Sequence, residues 1–290
     1  MLRKLAVAVV LLASALPPLA AQTLVVEGVI SPAWVERGGK REPLASGMTL
    51  NAGDKVHTGS GSRMLLRMAE GSAVKLGENA ILAIDDLLQK KDGGKTLMNA
   101  AFDVVRGAFR FTTGVFAKDP AQRNVKVKIA TITAGIRGTD VWGRSTAQED
   151  VVCLLDGQIS VDHGGKQFSM AEPLLFFIAP RNQPPKPIAS VSQQQVDKWS
   201  EETEIRDGNG AARRGGRYRV DVLATRDSGA ALQAQNKAQE AGFPARVDSM
   251  RDSYGSESYD VHIAGFATTK DAAVAAAKLK ALGFAEARAN

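Results

Sequence analysis

The sequence predicts a multidomain protein in which an all-β N-terminal domain precedes an α+β domain of βαββαβ order. Three observations carry that prediction. Short apolar or alternating runs, punctuated by turn residues, fill the chain from about Thr23 to Met170. A proline-dense stretch follows. Beyond it, two alternating segments that begin with Tyr, each followed by an Ala-rich stretch ending at Gly-Phe, recur at a constant interval.

The N-terminus has the pattern of an export signal. Arg3 and Lys4 precede an apolar run from Leu5 to Leu16, followed by Pro17-Pro18-Leu19-Ala20-Ala21. The prolines stop the run well short of the roughly 18 apolar residues a membrane helix needs. Residues 1–21 are therefore expected to be a cleaved signal peptide, with Gln22 opening a periplasmic chain; an uncleaved anchor is the alternative. No later run is long enough to span a membrane.

The 290 residues suit about two domains, and 44% hydrophobic content is enough for real cores. The formal charge of +6 loses Arg3 and Lys4 with the signal, which leaves +4. The single cysteine, Cys153, excludes an internal disulfide framework. Its place in Val151-Val152-Cys153-Leu154-Leu155 predicts a buried, inert thiol.

Residues 22–170 read as many short strands. Arg63 to Met68, Val125 to Ile129 and Ile159 to Asp162 alternate or are apolar, and Gly38-Gly39, Gly93-Gly94, Asp156-Gly157 and Gly164-Gly165 supply turns. A β-sandwich or a related all-β fold is expected, with weak helical or mixed patterns only at Asp85 to Gln89 and Leu97 to Val105. Residues 171–216 hold Pro180, Pro184, Pro185 and Pro187 and favour extended chain. Ser190 to Ile205 can form one helix, which Trp199 would dock on the β domain. Asp207 to Gly216 reads as a flexible linker.

Residues 217–290 carry the clearest pattern. Tyr218 to Val222 and Tyr259 to Ile263 alternate, and the interval between the tyrosines, 41 residues, is also that between Gly242-Phe243 and Gly283-Phe284. The duplication gives one four-stranded antiparallel sheet with both helices on one face. Asp227 or Ser228 should cap the first helix and Thr268 or Thr269 the second. Each glycine should supply the left-handed C-terminal cap, and Ala272, Ala276 and Leu279 should face the sheet. Strand alternation sends Tyr218, Val220, Val222, Tyr259, Val261 and Ile263 under the helices. It leaves Arg219, Asp221, Leu223, Ser258, Asp260 and His262 on the open face.

With its two Gly-Phe helix ends and Ala264-Gly265-Phe266, the segment from Tyr218 to Arg288 resembles a SPOR domain. That resemblance implies binding of peptidoglycan glycan strands stripped of stem peptides, through those six open-face residues. The family's first strand typically reads Val-Gln-Val-Gly-Ser-Phe, whereas Val220-Asp-Val-Leu-Ala-Thr225 stands here, so Asp221 replaces the open-face Gln. The β-rich region resembles the periplasmic FecR-like domain through Gly47 to Asp54, Thr58-Gly59, Glu70-Gly71-Ser72, Arg106-Gly107, Ile132 to Asp140 and Asp156 to Val161. It implies a sensing or scaffolding domain, with an envelope protein as a candidate partner.

Catalytic chemistry finds no support in the sequence. Gly135-Ile136-Arg137-Gly138 lacks the Gly-Lys-Ser/Thr ending of a phosphate loop. His57, His163 and His262 have no second ligand at metal spacing, and Cys153 has no activating partner. No enzyme activity, metal or cofactor is expected. Nucleic acid is rejected because the C-terminal domain carries 10 Lys and Arg against 9 Asp and Glu, and its tyrosines are expected on the helix side. Two readings remain. One is an envelope protein tethered to peptidoglycan by its C-terminal domain. The other is a signalling or assembly adaptor that binds a protein and has lost glycan affinity.

Overall fold

The computed structural model of the protein describes residues 24–92, 95–114 and 123–290. The expected signal peptide and the Gly93-Gly94 turn lie outside the described residues. The chain opens with β1 (Leu24–Ile30), β2 (Ala33–Arg37), β3 (Lys40–Pro43) and β4 (Thr49–Leu50). Next come β5 (Lys55–Thr58), β6 (Arg63–Met68), β7 (Ala73–Leu76), β8 (Ile81–Asp92) and β9 (Lys95–Thr112). The β-rich half continues with β10 (Arg123–Ile129), β11 (Ile132–Ile136), β12 (Asp140–Ser145), β13 (Glu149–Asp156) and β14 (Ile159–His163). It ends with β15 (Lys166–Met170), β16 (Leu175–Pro180) and β17 (Ala189–Ser190), followed by helix α1 (Gln193–Glu201).

These strands form two sheets that share β9. One runs β3–β2–β5–β8–β9–β10–β11–β14–β15, and the other β1–β6–β7–β9–β12–β13–β16–β17. Among the described residues only the β9–β10 pairing is parallel. The two halves of β9 enclose one core, in which Phe102 of the first half lies 6.4 Å from Phe111 of the second. Strict alternation builds that core, as in β6, where Met64, Leu66 and Met68 are buried and the residues between them are not.

Two patterns that read as helical or mixed are strand. Asp85 to Gln89 lies in β8 and Leu97 to Val105 in β9. The register slips between Ile84 and Asp86, so a bulge at Asp85 breaks the alternation and hides the strand from a period-2 reading. Strand β13 is buried on both faces, which accounts for its unbroken apolar run. Val152 and Leu154 enter the main core, while Val151 and Cys153 join Trp142 in a second cluster beneath α1. Burial pushes the Cys153 thiol up to about 12, consistent with an inert group. Ser192 caps α1 by accepting from the Gln195 amide, and Trp199 stacks on Trp142 with ring centroids 4.8 Å apart and planes 3° apart.

The C-terminal half comprises β18 (Ala211–Arg213), β19 (Tyr218–Thr225), α2 (Ser228–Glu240), β20 (Arg246–Arg251), β21 (Glu257–Phe266), α3 (Thr269–Ala281) and β22 (Arg288–Ala289). From β19 onward the order is βαββαβ, with the sheet arranged β22–β19–β21–β20, all antiparallel. Asp227 caps α2 by accepting from the Gly229 and Ala230 amides, and Thr268 caps α3 by accepting from that of Asp271. Both helices end in the same way. Gly242 and Gly283 take φ +82° and +87°, and the amides of Phe243 and Phe284 reach back to the carbonyls of Ala238 and Leu279. Ala272, Ala276 and Leu279 are buried beneath α3.

The stretch from Asp207 to Gly216, expected to be a flexible linker, is instead a structural seam. Ala211, Ala212 and Arg213 pair with Ile30, Val29 and Gly28 of β1, and Ala212 also pairs with Phe266 of β21. The physical reason is that the β1 edge beyond β4 is otherwise open, and the small, buried Ala211 and Ala212 fill it. Asp271, fully buried, accepts from the amides of Gly208, Gly210 and Ala211 and so ties the seam to α3. The Ala33 amide donates to the Gly242 carbonyl, and a Cβ on Gly242 would lie 2.6 Å from the Trp34 ring. The end of α2 therefore rests directly on β2.

Candidate functional site

The face of the C-terminal sheet opposite α2 and α3 gathers four of the six expected residues. Asp221 on β19 pairs directly with His262 on β21. Arg219 spans two acids: its Nε lies 2.8 Å from Asp221 Oδ1 and its Nη2 3.0 Å from Asp260 Oδ2. The contact with Asp221 is ionic and outside hydrogen-bond angles, so that oxygen has no hydrogen-bond donor. Asp221 Oδ2 accepts from the Asn290 side-chain amide at 2.9 Å, and Arg288 Nε lies 3.7 Å away. Among the described residues His262 Nδ1 has no hydrogen-bond partner; it sits 3.7 Å from Asp248 and 3.9 Å from Asp260.

Burial is uneven across this face. Asp221 and His262 are buried, whereas the Arg219 side chain stays 38% exposed. The face thus offers a guanidinium edge, two partly satisfied carboxylates and an imidazole nitrogen, a donor and acceptor set suited to hydroxyls, amides and carboxylates. Ser258 lies further along β21, opposite Met250 of the β20 edge.

Leu223 is a correction. The register slips between Asp221 and Leu223, so Val222 is an extra residue and the alternation resets. Leu223 then pairs with buried Val261 and packs against the core on the helix side, where it lines a cavity with Ala230 and Ala234 of α2. Ala224 takes its place on the open face, opposite Asp260 and exposed. Tyr218 is a second correction. A slip between Tyr218 and Arg219 leaves it opposite Phe266 and 38% exposed, not packed beneath the helices. Tyr259 does pack against the core, and its hydroxyl donates to Glu257.

Sequence reasoning missed Ala224, Asn290 and the acidic Asp248. The adjacent apolar pair Val222-Leu223 was the one available signal of a bulge. The ends of β20 and β22 have no periodic pattern to place them. Among the described residues no group of three or more His, Cys, Asp or Glu could hold a metal, and no helix is long and apolar enough to cross a membrane.

Comparison with known families matches the FecR protein family over residues 54–160 and the SPOR domain over residues 215–288. No curated protein matches. Two crystal structures of a protein from Parabacteroides distasonis, provisionally named an anti-sigma factor, align at 12% identity with a TM-score of 0.40. Each alignment covers 50% of this chain, and 64% and 63% of those chains.

Proposed function

We propose that this chain, a FecR domain followed by a SPOR domain, is an exported periplasmic protein. In this reading the open sheet face binds glycan strands of peptidoglycan, and the FecR domain serves sensing or scaffolding. Both domains are envelope-associated binding or signalling modules, and SPOR domains bind peptidoglycan. The observation that carries the finer reading is the cluster of Arg219, Asp221, Asp260 and His262 on one open face. A stripped glycan strand carries hydroxyls, N-acetyl groups and a lactyl carboxylate on alternate sugars. The Arg219 guanidinium, 38% exposed between its two acids, is within reach of such a carboxylate.

Retention on purified sacculi, with and without amidase treatment, tests this reading. Amidase-treated sacculi should retain more protein. Arg219→Ala with His262→Ala should weaken retention roughly tenfold or more, the loss of at least one charged hydrogen bond. Ala224→Glu should do the same without touching the core, since Ala224 is exposed beside Asp260. Full retention of these folded variants would overturn the assignment. The adaptor reading is favoured by one feature, the two acids that already hold Arg219, and it replaces the first if the parent protein is not retained.

Export through residues 1–21 is tested by N-terminal sequencing of protein from an osmotic-shock fraction. The expected start is near Gln22, and a membrane-bound product that keeps Met1 or Leu2 would reject it.

A further inference from the structure

A second place in the fold gathers cations, two of which make no salt bridge among the described residues. A cavity of about 540 Å³ lies where the β-rich half, the segment after α1 and helix α3 meet, and its lining includes Arg63, Glu201, Glu204, Arg206, Val274 and Lys278. Its carboxylates are already engaged. Glu201 pairs with Arg206 at 2.8 Å, and Glu204 pairs with Arg110 at 3.2 Å and with Lys75. Arg63 and Lys278 are left over. Arg63 donates to the Ser62 carbonyl at 2.8 Å and Lys278 to the Ser31 carbonyl at 3.0 Å. Neither is ion-paired among the described residues.

The two cations feel each other. Burial pulls the Lys278 ammonium below its ordinary value, and the Arg63 charge pulls it further in the same direction. Arg63 also lines an adjoining cavity of about 320 Å³ with Glu78, Arg106, Arg144 and Glu202; Glu202 pairs with Arg144 at 3.0 Å and also feels the Arg63 charge, without a salt bridge to it. Two positive charges facing one open cavity, neither of them in a salt bridge, repel each other less once an anion enters, and 540 Å³ lies within the usual range of small-molecule sites.

We propose that the junction cavity is a binding site for a small oxyanion, a carboxylate or phosphate group, held between Arg63 of β6 and Lys278 of α3. The guanidinium supplies a planar fork and the ammonium a point charge, the usual pair for such groups. Arg63 belongs to the FecR-like half and Lys278 to the C-terminal domain, so a bound anion adds a charged link between the two modules.

Calorimetric titration of the full chain with inorganic phosphate and with succinate, at low ionic strength and against matched chloride, tests the proposal and separates the two sources of oxyanion. Saturable binding of at least one of them is expected. Arg63→Gln and Lys278→Gln should each weaken it about tenfold or more. Lys278→Arg should retain most of it, and Arg206→Gln, whose charge Glu201 already neutralises, should change it by no more than about twofold. Far-UV circular dichroism confirms that each variant is folded. The proposal is overturned if neither anion binds saturably, if Arg63→Gln and Lys278→Gln bind as the parent does, or if Arg206→Gln loses as much as they do. The sacculus experiment reads a different face, so either can fail alone.

Discussion

Replacement of Asp271 by Ala is expected to lower the unfolding free energy by roughly 3–5 kcal/mol and to loosen the C-terminal module from β1. The carboxylate is fully buried, and its Oδ1 accepts three backbone amides, from Gly208 at 2.9 Å, Gly210 at 3.0 Å and Ala211 at 3.2 Å. Its Oδ2 accepts from the Thr268 hydroxyl at 2.6 Å within the α3 cap. Each buried donor left unpaired costs about 1–3 kcal/mol, and the three share one oxygen, so the total falls below their sum. Asp271→Asn keeps an acceptor oxygen and should lose less. Urea unfolding gives the stability, and trypsin cleavage at Arg213 or Arg214, expected in Asp271→Ala before the parent, reports the seam. An unchanged midpoint together with unchanged cleavage would remove Asp271 from this role.

The sign of the pH dependence follows from the same contacts. Burial alone would raise the Asp271 carboxyl, but the Thr268 hydroxyl and the three amides outweigh it and hold it below its ordinary value of 3.8. A carboxyl depressed in the folded state contributes stability above its unfolded value, and that contribution is lost as the pH falls through the folded one. The deficit of Asp271→Ala should therefore be constant near neutrality and shrink only below about pH 4.

The C-terminal fold was legible because its signals are local. The caps at Asp227 and Thr268 and the Gly-Phe ends each need only neighbouring residues, and all of them stand in the structure. What was not legible depends on partners distant in sequence. Ala211 and Ala212 give no strand signal, and they become strand only because β1, some 180 residues earlier, offers an edge. The bulge at Val222 is likewise decided by the register against β21, so strand alternation alone puts Leu223 on the open face, whereas Arg219 and Asp221 lie before the bulge. The ion pairs that hold Arg219 depend on side chains from two strands, and strand alternation predicts that they share a face but not that they touch.

Gly107→Ala is expected to be as damaging as Asp271→Ala, for a different reason. Gly107 lies in β9 with φ +89°, between the half that pairs with β8 and β10 and the half that pairs with β7 and β12. A left-handed backbone costs a non-glycine residue about 1–2 kcal/mol. Here an added Cβ would also lie 2.5 Å from Ala80 Cα, a backbone atom that cannot rotate away. Relieving the overlap requires the β7–β8 connection or the β9 bend to move, a packing cost of about 1–3 kcal/mol. The two together come to roughly 2–5 kcal/mol, or a melting temperature lower by about 5–15 °C for a chain of this size. Gly138→Ala separates the two causes. Gly138 has φ +87°, but nothing lies within 4 Å of its would-be Cβ, so it should show only the backbone part. Equal melting temperatures for the two variants would mean that Ala80 yields freely and that the bend of β9 is not what holds the two sheets in register. A clear excess at Gly107 would place the joint between the sheets at that contact.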